Sequence, residues 1–292
     1  MRRDLIDALT AASNTPGVSL AQAALLIARI EYPHLDPAPY LTRLDALGEN
    51  ARRYIQNTVK VSGDDRPIAC VASLNDFLFG QEGFVGNREQ YDDPRNSCLN
   101  EVLDRRTGIP ITLSLVYMEV AARAGLHLEG VNFPGHFLVR CPNAGPDAPT
   151  GLIIDPFHAG AVLNEQKCRV LLQKHVGSEV SFKRTLLEPA TRPQIVVRML
   201  LNLKRIYVHM RSFPQARDVT EALLALTPSA LSELRDRGLL AYHLNDLTGA
   251  LRDLQTYLKL SSMSDSDDET KAERKQIWEH VKTLRRRVAS LN

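Results

Sequence analysis

The sequence has few cysteines and no paired cysteine motif. Its four cysteines are far apart along the 292 residues, and none belongs to a C-x-x-C pair. Zinc-finger spacings and the dense disulfide frameworks of small secreted domains are therefore excluded. Thiols in this pattern are typical of a reducing compartment, so the sequence predicts a cytoplasmic protein. The cysteines are Cys70, Cys98, Cys141 and Cys168.

The chain also lacks an excess of charge of either sign and a long hydrophobic run. Its 36 Lys and Arg residues against 34 Asp and Glu residues give a formal net charge of +2. Because a polyanionic partner usually requires a basic surface, we expect no nucleic-acid partner. The most apolar early run, residues 21–30, includes Arg29 and is too short to span a bilayer, so we expect neither a membrane anchor nor a signal peptide.

Length and composition nevertheless allow a sizeable folded core. The hydrophobic fraction of 44% and the charged fraction of 24% are ordinary for soluble proteins. Since single domains mostly have roughly 100–150 residues, 292 residues predict more than one domain. No phosphate-binding glycine motif lies between a strand and a helix, so we expect no nucleotide and no other cofactor.

The first part of the chain reads as helices separated by prolines. Ser19 and Gln22 form a capping-box pattern ahead of an apolar helix. A second helix is predicted over residues 40–54, where leucines recur at helical spacing. We interpret residues 1–70 as a helical segment that packs on the next domain and carries no chemistry.

The middle of the chain, residues 71–192, mixes two periods. An apolar helix is predicted from Thr112 to Ala124, with apolar residues on most of its circumference. Short runs with β-type alternation follow, at residues 128–133, 136–141 and 152–155. The pattern predicts an α+β domain in which a central helix packs on a short antiparallel sheet.

The last part of the chain, residues 193–292, is helical and repetitive. A 34-residue shift superposes Ala216 on Ala250 and Leu224 on Leu258. That period is the one of tetratricopeptide repeats, whose stacked helix pairs form a groove for a peptide or a helix. The pattern predicts a protein or peptide partner, with a final helix near residues 270–291 that caps the repeats. It does not indicate an oligomeric state.

One arrangement of residues in the middle domain could support chemistry. His136 lies on one predicted strand and Asp155 ends the next, so the carboxylate can orient the imidazole. Cysteine hydrolases and acyl transferases place their nucleophile at a helix N-terminus, where the helix dipole lowers a thiol pKa. Thr112 and Ser114 stand at that end of the predicted central helix.

Four motifs stand in this region in a fixed order. They are the run from Tyr91 to Arg106, Gly108-Ile-Pro-Ile-Thr-Leu-Ser114, Phe133-Pro-Gly-His-Phe-Leu-Val-Arg140 and Ile154-Asp-Pro-Phe-His-Ala-Gly160. With these motifs the chain resembles the bacterial SirB-type proteins, which have a transglutaminase-like (papain-like) core followed by tetratricopeptide repeats. The resemblance implies that His136 and Asp155 match the histidine and aspartate of the transglutaminase superfamily.

The sequence departs from the active enzymes of that superfamily at the nucleophile. The first turn of the central helix, residues 110–114, contains no cysteine, and Cys98 lies on the preceding predicted helix. Thr112 and Ser114 carry hydroxyls, which are poorer nucleophiles than a thiolate. Asn96 and Arg95 could line the mouth of a pocket there, and His158 is close enough in sequence to reach it.

Three interpretations of the site follow. The first is a degenerate pocket in a non-catalytic protein-binding or regulatory factor, which is our leading hypothesis because a fold does not carry an activity without its site. The second is a hydrolase or acyl transferase for an amide or ester bond, with His136 as base, Asp155 as its orienter and Ser114, Thr112 or Cys98 as nucleophile. The third is a core histidine that Asp155 merely satisfies.

We expect no metal site. The histidines at positions 127, 136 and 158 form no helical i, i+4 pair and have no carboxylate at a recognisable ligand spacing.

Overall fold

The structure is a computed structural model that describes residues 3–15, 17–142, 144, 151–262 and 268–289. Across these residues the chain is mostly helical with a small antiparallel sheet, which confirms the predicted α+β class. None of the described helices combines the length and the apolar character that a bilayer crossing requires. Spatial contacts divide the chain into two units, one of Ala11–Met199 and one of Met1–Thr10 with Leu200–Asn292. The predicted divisions after residues 70 and 192 stay predictions.

Four helices precede the sheet. They are α1 (Arg3–Asn14), α2 (Leu20–Ala28), α3 (Ala38–Ser62) and α4 (Pro67–Asn75). The predicted capping box is confirmed, because Gln22 N donates to Ser19 Oγ at 3.3 Å and Ser19 N donates to Gln22 Oε1 at 3.1 Å. Helix α3 continues beyond the predicted end at Tyr54, since no breaker occurs before Gly63, whose φ of 69° ends it.

A buried helix forms the centre of the larger unit. After α5 (Leu99–Arg105), α6 (Pro110–Arg123) is buried along most of its length, as the apolar pattern predicted. Both carboxylate oxygens of its buried Glu119 accept hydrogen bonds, Oε1 from Ala21 N at 3.0 Å and Oε2 from Arg123 Nη1 at 2.5 Å. Glu119 thereby ties α2 to the central helix.

The antiparallel sheet has the order β3-β4-β5-β6. Its register pairs Val139 with Ile154 and Ile154 with Val162. The last strand escaped prediction because it is short and largely exposed, so its burial pattern carries no alternation. The strands are β3 (Glu129–Val131), β4 (Leu138–Cys141), β5 (Leu152–Asp155) and β6 (Ala161–Leu163), while a separate parallel pair joins β1 (Val85–Gly86) to β2 (Thr107–Gly108).

The position of His136 differs from the prediction. Strand β4 begins at Leu138, so His136 precedes the strand instead of lying on it. The turn before it contains Pro134, which has no N–H for a ladder, and Gly135, which has a φ of 71°. The prediction of a strand over residues 136–141 is therefore wrong at its first two residues.

A helix after the sheet buries one of the cysteines. In α7 (Glu165–Val176), Cys168 and Leu172 are fully buried and pack with Val131 and Leu138 of the sheet. This cysteine therefore serves the core as a small apolar side chain.

The C-terminal helices form two pairs and a final helix. They are α8 (Arg192–His209), α9 (Phe213–Leu226), α10 (Leu231–His243), α11 (Leu247–Ser261) and α12 (Asp268–Ala289). Ala216 and Ala250, which the 34-residue shift superposes, are both fully buried at equivalent places in α9 and α11. Helix α12 contributes Ile277 and Val281 to the core of α10 and α11, as expected for a capping helix.

Close packing of α10 on α11 predicts a steric penalty at Gly238. A Cβ at this position would lie 2.8 Å from Cγ of Leu254. We expect Gly238→Leu to lower the free energy of unfolding by roughly 2 kcal/mol, because overpacking forces the two helices apart. Urea denaturation, followed by circular dichroism, measures this loss in the free energy of unfolding. Ser232→Leu, at an exposed position of α10, is the control. Equal stability of the two variants would contradict the packing.

Candidate functional site

The site is organised by Asp155 at the end of β5. Its Oδ1 lies 3.0 Å from Nε2 of His136 and accepts a hydrogen bond from Phe157 N at 3.1 Å, while its Oδ2 lies 2.7 Å from Nδ1 of His158. The side chains of His136 and Asp155 are each 2% exposed, and that of His158 is 35% exposed. We call these three residues the His–Asp–His cluster.

The residues after Asp155 explain why His158 returns to it. Asp155 caps a 3₁₀ turn over Pro156–His158, in which Pro156 supplies the fixed φ of a first helical position. Ala159 and Gly160 then have φ values of 52° and 73°, and Gly160 N donates to Asp155 O at 2.9 Å. The turn therefore brings the ring of His158 back to the Asp155 carboxylate, which lies three residues earlier in the chain.

The ring of His136 is held between aromatic side chains. His136 N donates to Phe133 O at 3.1 Å, which fixes the backbone before β4. The ring of His175, near the end of α7, stacks on it with centroids 5.4 Å apart, and the ring of Phe157 meets it edge-on at 5.9 Å. A Cβ at Gly135 would lie 2.4 Å from the Cβ of His175, so glycine is required for this approach.

The electrostatics of the cluster favour an ionised Asp155. Burial alone would raise the pKa of this carboxyl, but the hydrogen bonds and charges of His136 and His158 outweigh burial and hold the pKa below its usual value. A carboxylate accepts hydrogen bonds only, so Nε2 of His136 carries the proton that faces it. Burial and the neighbouring His136 lower the pKa of His175.

The predicted hydroxyl nucleophiles have other surroundings. Thr112 is fully buried; its Oγ1 donates to Asn96 O at 2.8 Å and accepts from Ile109 N at 3.1 Å, so it caps the start of α6. Ser114 is also fully buried, and its hydroxyl has no hydrogen-bond partner in the part of the chain that the structure describes. Among the described residues, neither hydroxyl bonds to His136.

The predicted thiol nucleophile, Cys98, is buried away from solvent. Cys98 is fully buried at the start of α5, and burial raises its pKa to about 12. A thiol with such a pKa is almost entirely protonated near neutral pH and is not an activated nucleophile. Within the described ranges no hydrogen bond joins it to His136. Burial likewise raises the pKa of Cys168, to about 11.

Asn96 and Arg95, predicted at the mouth of the pocket, organise the loop before α5. Asn96 is fully buried; its Nδ2 donates to Gln90 O at 2.7 Å and its Oδ1 accepts from Arg105 Nη2 at 2.7 Å. Arg95 is about half exposed and forms an ion pair with Asp93 at 2.8 Å. In the described residues neither side chain bonds to the cluster, whereas His158, predicted to reach the site, does.

Two cavities meet the exposed side of the cluster. One of about 340 Å³ includes Asp155, His158 and Lys174 in its lining. The other, of about 570 Å³, includes Phe84, Phe157 and His158. Because His158 lines both, a small ligand can reach the cluster through this residue.

The donor set of the cluster also corrects one argument from the sequence. The sequence showed no carboxylate at a ligand spacing, but in the structure Asp155 supplies this carboxylate. One donor atom from each member of the His–Asp–His cluster lies within 4.8 Å of the other two. Among the described residues, His127 does not belong to this group; its Nε2 lies 3.7 Å from Glu129. His175 was missed because no short-range pattern links it to His136.

Comparisons with known proteins match both parts of the chain. Residues 38–201 match the transglutaminase-like superfamily, and residues 203–277 match a tetratricopeptide repeat. A UPF0162 protein of Xylella fastidiosa is 40% identical over 245 residues, which cover 82% of this chain and 83% of that protein.

Two other relatives match shorter parts of the chain. Protein SirB1 of Salmonella typhimurium is 28% identical over 182 residues, covering 62% of this chain and 66% of that protein. Human F-box only protein 21 is 34% identical over 180 residues, which cover 59% of this chain and 28% of that much longer protein.

Proposed function

The chain belongs to the SirB-type (UPF0162) family of the transglutaminase-like superfamily, with tetratricopeptide repeats after the core, and we propose that it is a non-catalytic protein-binding factor. One observation supports the proposal: the first residues of α6 carry no thiol, the Thr112 hydroxyl caps the helix, and the buried Ser114 hydroxyl does not bond to His136 among the described residues. Among the described residues, neither Cys98, Thr112 nor Ser114 forms a hydrogen bond with the His136–Asp155 pair. The core then serves as a scaffold or a ligand pocket.

The chemistry of the partner is inferred from the surface of α11 and α12. Trp278 is 42% exposed and lines a cavity of about 490 Å³ with Leu258, Lys271, Arg274 and Lys275. An exposed tryptophan surrounded by cations suits an apolar anchor flanked by carboxylates. We therefore infer an acidic peptide segment of another protein as the partner, bound through the repeats.

The sole tryptophan of the chain provides the test. Selection from a displayed random peptide library should yield sequences in which Asp and Glu flank an apolar residue, and their binding should change the fluorescence of Trp278. We expect Lys275→Glu to weaken binding at least about tenfold, since it replaces an attraction by a repulsion. Lys60→Glu, which makes the same charge change at an exposed position of α3, is the matched control.

Two results would contradict this partner chemistry. One is selection of basic or purely apolar peptides. The other is equal binding of an acidic peptide by Lys275→Glu and Lys60→Glu.

A second candidate function is hydrolysis or acyl transfer at an amide or ester bond. The buried His136–Asp155 hydrogen bond of 3.0 Å favours it, because such a pair orients an imidazole as a general base. Turnover of an activated ester that His136→Ala abolishes, while His127→Ala retains it, would support this candidate. Equal rates for both variants would exclude it.

We also propose the cytoplasm as the location. All four cysteines are free thiols, which suits a reducing compartment.

A further inference from the structure

The His–Asp–His cluster has a composition that is unusual for a purely structural hydrogen-bond group. Two imidazoles address the two oxygens of one carboxylate, at 3.0 Å for His136 and 2.7 Å for His158. Imidazole nitrogen and carboxylate oxygen are the donors that divalent zinc and related first-row ions prefer, and two histidines with one carboxylate form a known type of ligand set.

The geometry of the cluster is close to that of a metal site. In a tetrahedral zinc site with bonds of about 2.0–2.2 Å, donor atoms are roughly 3.3–3.5 Å apart. One donor atom of each cluster residue lies within 4.8 Å of the others, so the largest contraction needed is about 1.5 Å. His158 can supply this movement, since it lies on a turn and is the most exposed of the three.

The surroundings also favour a metal ion. Phe157 N already holds Oδ1 of Asp155, and His175 and Phe157 fix the ring of His136, as outer-shell groups of metal sites do. The two cavities that His158 lines give an ion a path to the cluster. The inner side is closed, because His136 and Asp155 are almost completely buried.

We propose that His136, Asp155 and His158 bind one divalent first-row transition-metal ion, of which Zn²⁺ is the representative. The ion takes the place of the protons that now lie between the donor atoms. Three protein ligands leave one tetrahedral position for water or for a small ligand that enters past His158. The site goes beyond the proposed function, because it needs no nucleophile and no peptide partner.

The test is a calorimetric titration. The full chain is first freed of metal with a chelator, and the heat released on adding Zn²⁺ is then measured. We expect one equivalent to bind, and His158→Ala to lower the affinity at least about tenfold, as loss of a ligand does. His127→Ala removes an exposed histidine outside the cluster and should bind like the unchanged chain. No peptide is present, so the outcome is separate from that of the peptide-binding test.

Substitution of Co²⁺ identifies the donors independently of any variant. The unchanged chain should give the visible absorption of tetrahedral or five-coordinate cobalt without a thiolate charge-transfer band. A thiolate band would assign the ion to cysteine and overturn the proposal. So would the lack of saturable binding, or an affinity that falls with His127→Ala and not with His158→Ala.

Discussion

Replacing Asp155 with alanine should lower the free energy of unfolding by roughly 3 kcal/mol, because it removes a buried carboxylate that several buried groups use as their acceptor. The carboxylate accepts from three groups, His136, His158 and Phe157 N. Without it, the buried His136 and the backbone N–H lose their acceptor. Chemical denaturation in the presence of a chelator measures the change without any contribution from a bound metal ion.

Two further variants make this result interpretable. Asp155→Asn keeps the shape and one acceptor oxygen, so its cost should lie between those of the alanine variant and the unchanged chain. Asp65→Ala, on an exposed loop, should change stability by less than about 0.5 kcal/mol. If Asp155→Ala were as stable as Asp65→Ala, the carboxylate would not organise the site.

Replacing Lys204 with methionine should destabilise the repeat unit by a similar amount, roughly 3 kcal/mol. Nζ of Lys204 lies 2.7 Å from both carboxylate oxygens of Glu233 and 2.8 Å from Oδ2 of Asp236. The side chains of Lys204 and Glu233 are only 13% and 8% exposed, so removing the cation leaves a buried carboxylate beside a second acid. Thermal or urea unfolding measures the loss.

The paired variant shows whether charge is the cause. Lys204→Met with Glu233→Gln should recover part of the lost stability, since the uncompensated charge is gone. Lys259→Met, an exposed lysine on α11, is the matched control and should be neutral. A double variant no more stable than Lys204→Met would show that the uncompensated charge of Glu233 is not the cause of the lost stability.

Patterns within one element were predictable from the sequence. The capping box at Ser19, the buried length of α6 and the equivalence of Ala216 and Ala250 all depend on residues within a few turns of each other or on a fixed period. Local hydrogen bonds and helical periodicity determine such features. The predicted α+β class, the repeats and the family resemblance were therefore confirmed.

Contacts between distant residues were harder to predict. The stacking of His175 on His136 depends on where α7 crosses the turn at Gly135, which no local pattern encodes. The pair of His136 and Asp155 could be predicted because neighbouring strands bring them together, but the strand begins only after His136.

A non-catalytic function requires that none of Cys98, Thr112 and Ser114 is an activated nucleophile. The most direct test is to treat the folded chain with a thiol-reactive electrophile and a serine-reactive fluorophosphonate, and to map the adducts by peptide mass spectrometry. We expect modification of the partly exposed Cys70 and none at Cys98, Thr112 or Ser114. An adduct at any of these three that disappears in His136→Ala would contradict it, because the histidine would then be activating a nucleophile.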